Sequence, residues 1–365
     1  MSSAVAEQPS VAVEPEVRLS GKVLRGKILG GKAFSLRLDV RAAVLTGVLL
    51  LVTLGIGTLS LTSGDFRIPV ADVLRSLTGQ GDTGTDFIVL TLRLPRVLTA
   101  LLVGAALGVS GAVFQNLTRN PLGSPDFIGL TIGASSGALI VILLLNGSAE
   151  QIAIGALIGC AVTSIAIYLL AYKGGAQGFR LILIGIGVGA MLDAFNSFLI
   201  TRARLDEAIG AQRWLVGSLN GRGWEDVRPV AIALLVLLPI ALLNGRRLTM
   251  LSLGDEAATA LGVPVERTRF TLFAVSVALA GVATAAAGPI GFVALAAPQL
   301  ARRLTGTTGS GLLGAAVMGG FLLTASDWVA QRALPDSSLP VGVATGAVGG
   351  AYLCWLLVHE WRRKA

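Results

Sequence analysis

A chain of 365 residues that is 53% hydrophobic and only 14% charged, with a mean hydropathy of +0.77, lies outside the range of soluble globular domains and reads as a polytopic membrane protein. Its net charge of +8 comes from basic residues gathered beside apolar runs, where they hold anionic headgroups, so it does not point to nucleic acid. A single histidine excludes a metal or haem site built from several histidines, and Cys160 and Cys354 both lie in apolar runs, where free cysteine is a small buried hydrophobe.

Residues 1–41 are polar, mixed in charge and without apolar period, and are expected to be a basic, disordered cytoplasmic tail. The first apolar run starts too late for a cleavable signal and is followed by many others. Two stretches of the tail, 21–27 and 26–32, match the opening of a nucleotide-binding P-loop. Both fail at the next position, where Ile28 and Ala33 replace the hydroxyl that would reach Mg²⁺, and neither has the strand and helix the motif needs. No cofactor is therefore expected in this chain.

A helical span takes about 20 apolar residues to cross roughly 30 Å of hydrocarbon. Ten runs qualify or nearly so: 42–61, 97–116, 129–146, 151–171, 181–201, 229–244, 270–287, 289–301, 311–330 and 340–358, the eighth being short. The expected fold is all-α, with a transmembrane domain over 42–358 and a cytoplasmic C-terminus over 359–365. Placing both termini inside puts nineteen of the twenty-nine basic residues, including every lysine, in inner segments, as the excess of Lys and Arg in cytoplasmic loops requires. The ten left outside are all arginines.

The first outer segment, 62–92, holds Asp65, Arg67, Pro69 and an apolar stretch at 70–77 that suits a short surface helix. It leads into 93–137, where an arginine pair, a glycine-studded apolar run, a polar turn and a second apolar run follow one another. Glycine, asparagine and proline at this density are not needed merely to cross lipid, and polar backbone in the 117–128 turn is tolerable only if buried in protein or facing a water-filled path. Arg93-Leu94-Pro95-Arg96, Gly104, Gly111, Gln115, Asn120-Pro121-Leu122, Pro125, Gly129 and Gly133 resemble the signature of the FecCD permease family, membrane subunits of ABC importers for iron-siderophores, haem and cobalamin.

Small residues recur four apart at Gly104 and Gly108, Gly155 and Gly159, Gly185 and Gly189, and Gly342, Gly346 and Gly350, the spacing that lets helices approach closely. The Gly185 run also looks like a dinucleotide fingerprint, but it sits in a span with no strand before it. Asp193 and Asn196 stand in the same span, and Asp327 near the outer end of the ninth. A carboxylate at mid-bilayer costs about 2.5–3.5 kcal/mol, so such groups face a cavity or a partner; an interhelical hydrogen bond is the alternative for each. The outer segment 202–228 ends in WLVGSLNGRGW, which again resembles the family, where a short amphipathic helix follows the fifth span; its tryptophans equally suit interfacial anchors.

In the inner loop 245–269, Asp255 suits a helix N-cap, Glu256 a first turn, Gly262 a left-handed end, and Pro264 blocks continuation. A helix of about two turns results, with Ala257, Ala258 and Leu261 as its apolar face. The Glu256-Ala257-Ala258 to Gly262 pattern resembles the coupling loop of ABC importer permeases, which docks into the ATPase subunit. The stretch from Gly288-Pro289 to Pro298 and Arg302 resembles the second family signature, with Gln299 where members usually carry histidine, so no protonation role attaches to that position.

The resemblance covers about 60–358 and implies a type II ABC importer permease in the cytoplasmic membrane, paired with a second permease, two ATPases that bind ATP and Mg²⁺, and an extracytoplasmic binding protein. It implies binding-protein docking by Arg93 and Arg96, joined by Arg332, which is one residue beyond the family's position at Gln331. Gln115, Asn120, Asp193 and Asn196 are candidates for the translocation path. Ferric siderophore is the first expectation for cargo, ahead of cobalamin and haem. A proton-coupled carrier would need titratable groups along the path, where Asp193 is almost alone.

Overall fold

The computed structural model describes residues 27–29, 36–38, 40–64, 66–126, 128–172, 178–307, 309–333 and 339–364. Most of the N-terminal tail, and with it most of both P-loop-like stretches, lies outside these residues. Within the tail, β1 (Lys27–Leu29) pairs antiparallel with β2 (Leu36–Leu38), Ile28 opposite Arg37, where no regular structure was expected.

The rest is helical. In chain order the elements are α1 (Val40–Thr62), α2 (Val70–Leu77), α3 (Thr83–Asp86), a π-helical stretch (Phe87–Arg93), α4 (Leu94–Thr118), α5 (Leu130–Leu144), α6 (Ala149–Ala171), α7 (Gly178–Arg202), α8 (Leu205–Leu215), α9 (Trp224–Leu243), α10 (Gly245–Leu251), α11 (Asp255–Ala260), α12 (Val265–Ala287), α13 (Val293–Thr305), α14 (Leu312–Ala330) and α15 (Val341–Lys364). Each of the ten apolar runs is one of these helices: α1, α4, α5, α6, α7, α9, α12, α13, α14 and α15. Among the described residues seven helices are individually long and apolar enough to cross a membrane, with α5 and part of α15 as shorter apolar helices.

Local chemistry sets the ends. Pro95 has no N–H to give to the turn before it, and the chain answers by widening that turn into the π-helical stretch, which keeps 83–118 one continuous helix. Ser148 and Gln151 form a capping box at the start of α6. The eighth run starts later than expected: Gly288 and Phe292 both take positive φ, so the backbone cannot enter a helix before Val293.

Close packing of small residues organises the bundle. α4 and α12 are the most covered of the long helices and α1 the least, its sides being apolar and open. Gly104 and Gly108 of α4 lie against the backbone of Ala315, Gly319 and Gly320 on α14, where any Cβ would strike a carbonyl. Gly137 of α5 meets the backbone of Gly155 and Gly159 of α6 in the same way, Gly133 packs against the Thr163 side chain, Gly111 meets Ala294, and Gly129 meets Gly185 and Gly189 of α7. The four-residue spacings are thus used for packing, the Gly185 run included, except that Gly346 and Gly350 face open space. Phe114 and Phe273 are buried in the core with their rings 5.7 Å apart and edge to face, and the partly buried Tyr168 packs against Phe273 from the side.

Candidate functional site

At the face carrying α10 and α11, the loop 245–269 is two short helices rather than one, and α12 already begins at Val265. The N-cap of α11 is Gly254 (φ 119), and Asp255 is its first residue, contrary to the capping role read from the sequence. The Asp255 carboxylate is drawn elsewhere: Arg269 donates to both its oxygens at 2.9 Å, and Arg119 forms an ion pair with it. Burial pulls the Asp255 carboxyl up, but Arg269 and Arg119 outweigh it and hold the group below the usual carboxylate range. The buried Arg269 also holds Glu266 at 3.1 Å, and Arg119 donates through Nε to the Leu251 carbonyl at 3.0 Å.

The far end of α11 is as expected. Gly262 is left-handed (φ 79), and Gly262 N and Val263 N donate to the carbonyls of Thr259 and Ala258, a Schellman closure. Its apolar residues do not share one face: Ala258 is buried, whereas Ala257 and Leu261 point outward together with Glu256 and Leu253. A cleft of about 570 Å³ opens beside it, lined among others by Phe179, Leu253, Glu256 and Ala257. The clamp holds a short helix rigidly while an apolar and acidic rim stands exposed.

The polar turn after α4 is tied down by amides. Arg119 ends α4 in the left-handed region (φ 51); Asn120 Oδ1 then accepts from Leu122 N at 2.9 Å, and Gln299 donates to the Pro121 carbonyl at 2.6 Å. Gln299 Oε1 in turn accepts from the Tyr352 hydroxyl at 3.5 Å. Gln115 is buried; it donates to the Leu295 carbonyl at 2.9 Å and accepts from Arg302, joining α4 to α13. Leu122 is left exposed at the tip of the turn.

Asp193 and Asn196 are not near that turn. They line a separate cleft of about 370 Å³ between α5, α7 and α8, with Thr131, Ser135, Ser197 and Gln212. Asp193 is exposed, and the buried Asn196 has an Oδ1 with no hydrogen-bond partner among the described residues. The four residues grouped as a path therefore fall into two places.

On the opposite face a cleft of about 980 Å³ gathers Arg67, Arg93, Arg96, Arg222 and Arg332, half of the arginines expected outside, with Trp224 and Glu225. The three expected docking residues do converge here, but all three are engaged within the chain. Arg93 donates to the carbonyls of Leu61 and Phe66 at 2.7 and 2.6 Å. Arg96 makes a two-pronged ion pair with Asp327 at 2.8 and 3.0 Å, side-chain exposure being 19% for Arg96 and 3% for Asp327. Gln331 also donates to Asp327 at 2.7 Å, which explains an amide at that position. Arg332 donates to the Trp328 carbonyl at 2.8 Å, bonds Ser63 and stacks on Trp328, 4.5 Å from the ring centre. Trp224 donates to the Leu90 carbonyl at 3.0 Å, so this tryptophan is a protein contact as well as an edge residue.

Residues 49–359 match the model of the FecCD transport family. The chain belongs to the FecCD transport family. It is 48% identical over 308 residues to the ferric enterobactin transport system permease protein FepG of Escherichia coli (strain K12), covering 84% of this chain and 93% of that protein. It is 38% identical over 324 residues to the Fe(3+)-citrate import system permease protein YfmE of Bacillus subtilis (strain 168), with 88% and 95% covered. Among solved structures, an inward-facing conformation of a metal-chelate type ABC transporter superposes with a TM-score of 0.78 at 30% identity, covering 87% of this chain and 99% of that one. The type II importer permease fold expected from the sequence is the one observed.

Within this FecCD chain the structure adds residues that sequence reasoning passed over. Arg119 and Arg269 entered only as inner positive charges, yet both close on Asp255. Asp126, one residue past the signature proline, has both carboxylate oxygens buried beside Ser124, Thr131 and the Phe292 backbone without reaching hydrogen-bond geometry. A carboxylate in a turn flanked by apolar spans was the available signal.

Proposed function

We propose that this chain is one half of the membrane path of an ATP-driven importer that carries ferric siderophore across the cytoplasmic membrane, both termini inside. The observation that carries the reading is α11: a short helix clamped at Asp255 and closed at Gly262, offering Glu256, Ala257 and Leu261 to solvent on a chain of the FecCD family. A helix whose apolar residues point away from its own bundle needs a partner to cover them, and an ATPase subunit is that partner. ATP and Mg²⁺ are bound there, and this chain performs no bond-making chemistry. The assembly is completed by a second permease, a second ATPase and an extracytoplasmic binding protein.

The arginine cleft on the opposite face supports docking of acidic side chains of the binding protein. Because Asp327 offsets Arg96, the outward field rests more on Arg67, Arg93 and Arg332 than on the Arg93 and Arg96 pair alone. Ferric siderophore is favoured as cargo by relatives named for ferric enterobactin and Fe(3+)-citrate; cobalamin and haem are the alternatives. The full complex in proteoliposomes should take up iron-siderophore in preference to labelled cobalamin and haem, with ATP inside and binding protein outside. Failure of the chain to co-purify with an ATPase, or uptake driven by a pH gradient alone, would overturn the importer reading.

A further inference from the structure

We propose that Arg119 is the joint through which α11 moves the 120–122 turn, a positioning role in the transport cycle that rests on α11 being the ATPase-docking helix. The geometry is direct. Through its side chain Arg119 grips both ends of the α10 to α11 connection, the Leu251 carbonyl and the Asp255 carboxylate. Through its own peptide bond it leads into Asn120, Pro121 and Leu122. Any displacement of α11 is therefore delivered to the first residue of the turn. Arg269 also holds Asp255, but it sits in the first turns of α12 and leads nowhere near the turn.

Backbone conformation supports the same assignment. Arg119 is left-handed, a region that costs a non-glycine residue about 1–2 kcal/mol, and the end of a helix is where glycine is ordinarily placed. An arginine where glycine would be cheaper is accounted for by what its side chain reaches. That reach adds little to stability, because the Arg119 and Asp255 side chains are 42% and 45% exposed, and exposed ion pairs contribute little. The turn itself is stiff: the Asn120 side chain closes it internally, and Gln299, backed by Tyr352, holds its Pro121 carbonyl. It hangs between one handle on α11 and another on α13 and α15, with Leu122 exposed at its tip. A stiff unit with two handles moves as a body when one handle is pulled.

The variant that isolates this role is Arg119→Gly, which suits the left-handed backbone better than arginine and removes only the tether. In the complete complex of permeases, ATPases and binding protein, Arg119→Gly should keep ATP hydrolysis within about twofold of the parent while uptake per ATP falls on the order of fivefold or more, the lower end of ordinary coupling strengths. Arg119→Lys, which keeps a cation near Asp255, should lie between the two. A second readout follows the turn itself: with Cys160→Ser and Cys354→Ser in place, the thiol introduced by Leu122→Cys should change its labelling rate with nucleotide, and Arg119→Gly should abolish that change. Unaltered uptake per ATP and an unaltered nucleotide response in an assembled Arg119→Gly complex would overturn the joint while leaving α11 docking intact. If the parent chain itself fails to bind an ATPase, the docking reading falls and the joint with it.

Discussion

Among the described residues Asp327 is the most buried carboxylate with a cationic partner, and its pairing with Arg96 is asymmetric. Removing the arginine strands a charge with almost no access to water, whereas removing the carboxylate leaves Arg96 a route to solvent. Arg96→Gln should therefore lower stability by about 3 kcal/mol and Asp327→Asn by less. The double variant should be milder than the sum by about 1–3 kcal/mol, read as thermal unfolding in detergent. A strictly additive pair would mean that the ion pair contributes nothing beyond its parts. The clamp on α11 makes a different claim at the same scale. The Asp255 carboxyl is depressed in the folded chain, so its contribution is present above the unfolded value of about 3.9 and lost as pH falls through the folded one. Transport coupling should be level from neutral pH into the mildly acidic range and fail only under strong acid, and Asp255→Asn should reproduce that failure at neutral pH. These pairs were not legible in the sequence: Arg96 and Asp327 are 231 residues apart, and Arg119 and Asp255 are 136. Periodicity and spacing report on neighbours along the chain, and nothing in either marks two charges that meet only after the bundle closes.

At the scale of elements much more could be read. The ten apolar runs became ten helices, α2 formed where a surface helix was anticipated, and Gly262 ends α11 as left-handed glycine should. All of these follow from local rules of length, patterning and turn chemistry. The N-cap of α11 was misread for a physical reason: an aspartate that would cap a helix in isolation instead turns to Arg269 and Arg119, and Gly254 takes the cap position. The apolar face of α11 was misread because a short helix displays too few residues to tell inward from outward. The glycine spacings were legible as packing, and the structure says which of them matter. Gly104→Val and Gly319→Val each drive a side chain into the facing backbone, and overpacking of this kind costs about 1–3 kcal/mol or more. Both should abolish a monodisperse peak in size-exclusion chromatography, whereas Gly346→Ala, with open space beside it, should behave like the parent.

For the whole molecule, two faces carry opposite kinds of surface. The α11 face offers a small apolar and acidic rim, and the opposite face a broad arginine cleft. On the proposed docking of an acidic binding protein at that cleft, association would be steered over a Debye length of about 8 Å at physiological salt. Arg67→Gln with Arg332→Gln should slow binding-protein association several-fold at low salt and have little effect at high salt, while detergent-solubilised ATPase activity is kept; surface plasmon resonance across a salt series would show it. An effect that does not change with salt would point to lost shape rather than lost charge. Between these faces the helices meet along glycine and carbonyl, with Gly104 and Gly108 against Gly319 and Gly320, and Gly133 and Gly137 against Gly155 and Gly159. Such seams have few rotamers to unlock, Thr163 against Gly133 and Leu101 against Gly320 among them. Where bulky side chains interdigitate, sliding one helix past another means lifting knobs out of holes, but two backbones in contact present a nearly smooth track. The same glycines that hold α4 to α14 and α5 to α6 at a fixed distance should therefore let them shear along their length, as lubricated rails do, so that rocking by small slips would call for little repacking of the interior.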